Sequence, residues 1–183
     1  MEDPAPGILL IADPFLKDQH FSRTVILLCE HQENGSLGFV INRQLEHKLE
    51  DLLKGAEGLD LPVYFGGPVQ MDTLHFLHLY PDLIPGSKPL TDGVFWGGDF
   101  EAAVALLRNG DIDPNRIRFY IGYSGWTEGQ LDEELKGKSW LTAQARRKVV
   151  FHPHEEEIWK AAIRLLGSEY QLMANFPIDP QLN

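Results

Sequence analysis

The pentapeptide Gly122-Tyr-Ser124-Gly-Trp126 carries the hydroxyl of this chain best placed to act as a nucleophile. The run Arg116–Tyr123 before it reads as a strand and a helix is expected after it, the setting that a nucleophile elbow requires. A G-x-S-x-G elbow needs glycine where this chain has Trp126, and no His and Asp partners for Ser124 can be assigned from sequence. Two alternatives follow: a serine nucleophile in hydrolase or transferase chemistry, or a hydroxyl bonded to the backbone of its own turn.

Polar groups elsewhere suggest binding as readily as catalysis. Asn42 and Arg43 close the apolar run Leu37–Ile41, where an amide and a forked guanidinium can hold a carboxylate or phosphate, or form a salt bridge within the chain. Arg23 has the same ambiguity. Asp99, in Gly97-Gly98-Asp99-Phe100, is placed to cap a following helix. His75 and His78 are three apart, but on a strand that spacing sends them to opposite faces, so a shared metal is not expected. His152-Pro-His154 is a second pair, explained equally well by an exposed helix start. The single cysteine, Cys29, allows no internal disulfide and no multi-cysteine zinc site. Walker A, G-x-G-x-x-G, H-E-x-x-H and paired Cys-x-x-Cys patterns are absent, so no metal and no cofactor is expected.

The elements that must position these groups are short. Strands are expected at Ile8–Ala12, Thr24–Cys29, Leu37–Ile41, Val63–Phe65, Thr73–Leu79, Val94–Trp96, Arg116–Tyr123 and Val149–Phe151. Leu45, Leu49, Leu52 and Leu53 have helical spacing, and so do Phe100, Ala103, Val104 and Leu107 before Asn109-Gly110. Thr127 and Gln130 have capping-box spacing ahead of a third helix. A fourth follows Pro153, with Trp159, Ala162, Ile163 and Leu166 as its apolar stripe. Strands thus come in groups, not in strict alternation with helices. The expected fold class is α+β, a mixed, largely antiparallel sheet flanked by helices in a single domain spanning residues 1–183.

Four turns combine glycine with aromatic residues: Leu37–Arg43, Phe65–Val69 with Gly66 and Gly67, Trp96–Phe100 with Gly97 and Gly98, and Gly122–Trp126 with Gly125. Glycine belongs where φ is positive or where another backbone or a ligand comes close. The turns either fold the sheet over itself or converge on one cleft. In the second case Arg23, Asn42, Arg43, Asp99, Tyr123, Ser124 and Trp126 edge a pocket for a small molecule or a protein segment.

Composition limits the partners. With 16 Lys plus Arg against 27 Asp plus Glu, the net charge is −11, so nucleic acid is disfavoured. The basic stretch Lys136, Lys138, Arg146, Arg147 and Lys148 reads as a solvated face. No apolar stretch is long enough to span a membrane, no signal peptide is evident, and the lone cysteine fits a cytoplasmic setting.

Taken in order, Gly7-Ile-Leu-Leu-Ile-Ala12, Phe21-Ser-Arg-Thr-Val25, Gly38-Phe-Val-Ile-Asn-Arg43, Tyr64-Phe-Gly-Gly-Pro-Val69, Gly97-Gly-Asp-Phe100, Arg118-Phe-Tyr-Ile-Gly-Tyr-Ser-Gly-Trp126, Gly129-Gln-Leu131 and Asn175-Phe-Pro-Ile-Asp-Pro180 resemble the AlgH/YqgE family nearly end to end. The resemblance implies a bacterial cytoplasmic protein with a twisted, barrel-like sheet flanked by helices. Family members are commonly labelled transcriptional regulators, and the resemblance supplies no catalytic residues. A binding module with an indirect regulatory role is the expected function; an enzyme using Ser124 and a direct DNA-binding regulator are the alternatives.

Overall fold

A computed structural model describes residues 1–16, 18 and 20–175 of the 183-residue chain. The closing motif quoted above lies outside the described residues from position 176 onward. Ten strands form one curled sheet: β1 (Ile8–Ala12), β2 (Val25–Gln32), β3 (Gly35–Val40), β4 (Gln44–Lys48), β5 (Pro62–Phe65), β6 (Val69–His78), β7 (Lys88–Thr91), β8 (Val94–Trp96), β9 (Ile117–Thr127) and β10 (Trp140–Gln144). Their order is β10-β1-β2-β3-β9-β6-β8-β7, with β4 and β5 branching from β9. Among the described residues all strand pairs are antiparallel except β5 with β9. The class is α+β.

The longest strand, β9, joins the two halves. Its first part pairs with β5 and β6 through Phe119, Tyr120 and Ile121, and its last part pairs with β3 through Ser124 to Thr127. A strand that changes neighbours must bend, and Gly122, at φ +68, supplies the bend. The curl brings the outer strands together: Gln144 donates its amide to Thr91 Oγ1, and Arg147 N donates to Asp92 Oδ2 at 2.9 Å.

Helices cover the sheet: α1 (Leu49–Leu52), α2 (Phe100–Asn109), α3 (Gln130–Lys136), α4 (Arg147–Val150), α5 (Ile158–Arg164) and α6 (Ser168–Gln171). α2 ends at Gly110 in the left-handed conformation, as its sequence predicts. The stripe of α5 buries Trp159, Ala162 and Ile163 against β1 and β2 residues such as Leu9 and Leu27. Arg118 ties α4 to the sheet: Nη1 donates to Val150 O at 3.0 Å, Nη2 donates to His152 O, and the guanidinium stands 5.2 Å from the Tyr64 ring.

Three expectations fail. The leucines at 45–53 do not lie on one helix, because residues 44–48 pair with β5 and only Leu49–Leu52 is helical. Val149–Phe151 is not a strand: its β-branched pair lies at the end of α4, buried by tertiary packing that overrides strand propensity. At α3, Gln130 Oε1 accepts from Thr127 N at 3.0 Å, but the N-cap is Gly129, so the capping box is only half formed. Three strands, β4, β7 and β10, were not expected from the sequence.

Candidate functional site

Three of the four glycine turns meet. Gly66 is the junction: its N donates to Ile121 O at 2.8 Å, and its O accepts from Val40 N at 2.9 Å and from Ser124 Oγ at 3.2 Å. A Cβ at Gly66 would lie 2.4 Å from Gly122 O, one at Gly67 2.1 Å from Tyr123 C, and one at Gly122 2.3 Å from Gly67 O. Backbone here meets backbone. The glycines permit two segments to cross and leave no room for a ligand between them. The fourth turn lies elsewhere: Gly98 packs on Pro85 O and Ile84, Gly97 O bonds His78 Nε2 at 2.9 Å, and Asp99 caps α2 by accepting from Ala102 N at 3.1 Å.

This crossing removes the elbow geometry from Ser124. The serine sits within β9, paired across from Gly38, and its hydroxyl proton goes to the Gly66 carbonyl. Among the described residues no imidazole is bonded to it. The expected strand and following helix are both present, but β9 runs on through Ser124 to Thr127 and α3 begins only at Gln130, so the serine does not sit at the strand–helix turn.

Asn42, Arg43 and Arg23 act on one loop. Asn42 Oδ1 accepts from Val25 N at 3.0 Å and its Nδ2 donates to Arg23 O at 2.8 Å, so the side chain extends the β2–β3 ladder by one rung. Arg43 Nη2 lies within hydrogen-bond distance of His20 O (3.1 Å), Ser22 O (3.3 Å) and Thr24 Oγ1 (2.8 Å). Arg23 adopts φ +57 and sends its guanidinium 4.6 Å above the Trp159 ring, towards α5. Together they fix the backbone of residues 20–25.

The residue this loop presents is Phe21. Its ring is 40% exposed and meets Trp140 edge to face at 6.1 Å. Phe21, Ile26, Pro68, Val69 and the largely buried Trp126 and Trp140 line a cleft of about 530 Å³. Ser124 and Gly125 are at its edge, and the rim is Gln130, Glu133 and Glu134 of α3 with Ser139. Trp140 Nε1 donates to Glu134 Oε1 at 3.2 Å, which orients the indole. Glu134 Oε2 is buried with no hydrogen-bond partner among the described residues.

Of the residues named from sequence, Ser124, Gly125 and Trp126 line this cleft. Tyr123 faces the other side of β9, where it meets His75 edge to face at 6.0 Å. Sequence reasoning missed Trp140, which belongs to an unexpected strand, and Phe21, whose position beside Arg23 was the available signal. His78 is buried: Nδ1 accepts from Tyr80 N at 3.1 Å, and burial holds its pKa below the usual 6.5 despite the Gly97 carbonyl. Burial also lowers the pKa of His75 and raises that of the Cys29 thiol. No group of three metal-ligating side chains occurs among the described residues. None of the described helices is long and apolar enough to cross a membrane.

With this geometry established, known proteins provide a comparison. A family model described as AlgH-like matches residues 9–171. A UPF0301 protein of Chlorobium limicola is 47% identical over 178 residues, covering 97% of this chain and 95% of the relative. A UPF0301 protein of Parabacteroides distasonis is 40% identical over 182 residues, covering 98% and 92%. The solution structure of the AlgH protein from Pseudomonas aeruginosa superposes with a TM-score of 0.72 at 28% identity, covering 98% of this chain and 100% of that one. A Corynebacterium diphtheriae crystal structure, at 21% identity and a TM-score of 0.75, covers 96% and 94% and shares the fold.

Proposed function

The chain belongs to the AlgH-like family, and on that premise we propose that it is a binding module whose Phe21–Trp126–Trp140 cleft receives a small molecule. Any regulatory effect runs through occupancy of that cleft and not through contact with DNA. One observation carries the reading: an exposed phenylalanine is held edge to face against Trp140, in a cleft that Trp126 also lines, by a loop that Asn42 and Arg43 pin at five points. An exposed aromatic ring gains nothing from hydration, and fixing it in place before a ligand arrives lowers the entropy cost of binding. A volume of about 530 Å³ falls in the range of small-molecule pockets. The net charge of −11 supports the same reading over a DNA-binding one, since phosphate contacts depend on basic surface.

A thermal-shift screen against metabolites tests it. A ligand at about 100 times its Kd adds about 2.7 kcal/mol, or roughly 5–10 °C for a chain of this length. The wild type should show such a shift with at least one compound. Phe21→Ala should melt close to the wild type and lose the shift. A screen with no hits, or an undiminished shift in Phe21→Ala, sinks the proposal.

A further inference from the structure

We infer that the ligand of this cleft is a small organic cation, an ammonium group on a flat apolar body; the inference rests on the cleft being a binding site. Charge complementarity is the first ground. Glu133 and Glu134 line the cleft, and among the described residues none that line it is Lys, Arg or His. The nearby cations lie outside it: Lys136 pairs with Glu133 Oε1 at 3.3 Å on the exposed side of α3, where solvent screens it, and Lys138 is exposed. An anionic ligand would enter against two carboxylates and a chain that is itself strongly acidic.

The walls are the second ground. Indole faces attract cations through the negative face of the ring, more strongly than phenyl or phenol rings do, and here two indoles and a phenyl ring bound one space. The third is the inventory of hydrogen-bonding groups. Trp140 Nε1 already donates to Glu134, and the Ser124 hydroxyl already donates to Gly66 O. The Glu134 Oε2 atom is buried without a donor among the described residues, so this carboxylate is not neutralised by a partner side chain. Glu133 and Glu134 thus supply the charged acceptors that an ammonium group bonds, beside the neutral Gln130 amide and Ser139 hydroxyl.

Three probes of one shape separate the possibilities: phenethylamine, 2-phenylethanol and phenylacetate, each titrated into 15N-labelled protein. The readout is the indole N–H signals of Trp126 and Trp140. Phenethylamine should shift both signals and bind at least roughly tenfold more tightly than the alcohol, with phenylacetate weakest. The isosteric double variant Glu133→Gln, Glu134→Gln should bring the amine down to the level of the alcohol while the Trp126 indole signal of the free protein stays in place; the Trp140 signal, whose N–H donates to Glu134, moves in the free variant and is not the control. Equal binding of amine and alcohol overturns the cation assignment and leaves the cleft as a neutral-ligand site. If no probe moves either indole up to about 10 mM, the cleft reading falls as well.

Discussion

Replacing Gly122 by alanine tests whether the crossing at Gly66 holds the two halves of the sheet together. Alanine at φ +68 incurs the left-handed penalty of about 1–2 kcal/mol. It also places a methyl group 2.3 Å from Gly67 O and 3.0 Å from Val69 O, atoms of another segment's backbone that have no rotamer to change. The segments must part by roughly 1 Å, which weakens Gly66 N to Ile121 O and Val40 N to Gly66 O. At about 1 kcal/mol for each hydrogen bond, the total is about 3–4 kcal/mol. Gly97 provides the control, because it also has φ +68 but a Cβ there meets nothing within 4 Å. Gly97→Ala should lose only about 1–2 kcal/mol. Urea unfolding followed by fluorescence measures both, and the midpoint of Gly122→Ala should fall by roughly 1–2 M. Equal losses in the two variants would falsify the view that a tight backbone crossing, and not φ alone, requires glycine in β9.

Two further expectations concern the loop and the histidines. Arg43→Lys keeps the charge but replaces the planar fork with a flexible ammonium, so hydrogen exchange in residues 20–25 should speed up while global stability falls by only about 1–2 kcal/mol; unchanged protection there would dissociate Arg43 from the loop. His78 and His75 have folded pKa values below 6.5, so the unfolded chain binds more protons, and their stabilising contribution is present above that pH and is lost as pH falls through the folded values. The thermal midpoint should drop between about pH 7.5 and pH 5.5, and less in His78→Gln; identical profiles would show that the buried imidazole is not responsible.

Local signals made part of this molecule legible from sequence. The run at 8–12 is a strand because its five apolar residues are buried on both faces between β2 and β10, and α2 is bounded by an Asp cap and a left-handed glycine. What could not be read is non-local. Trp140-Leu-Thr-Ala-Gln144 has no alternation to announce a strand, and it becomes one by pairing with residues about 130 positions earlier. Leu45 to Leu53 has helical spacing, yet the partner strand at 62–65 claims the first half of it. The candidate site was hidden for the same reason. Trp126 is on β9, Trp140 on β10 and Phe21 in a loop, and only the curl of the sheet brings them together.

The polar residues that looked most functional already have structural partners. Asn42 completes a ladder, Arg43 holds a loop, Asp99 caps a helix and Ser124 bonds the carbonyl at the crossing. In a folded chain, a polar side chain with its hydrogen bonds satisfied internally is a poor place to look for affinity, because a ligand must displace what is already there. The more informative groups are those whose capacity is left over: a phenylalanine ring that is 40% exposed, the indole edges that line the cleft beside it, and a carboxylate oxygen without a donor among the described residues. They lie in one cleft, beside the crossing and under the pinned loop. The structural residues thus bear on function indirectly, since loosening Arg43 or Gly122 would displace Phe21 or β9 and so disrupt a wall of the cleft without touching its ligand.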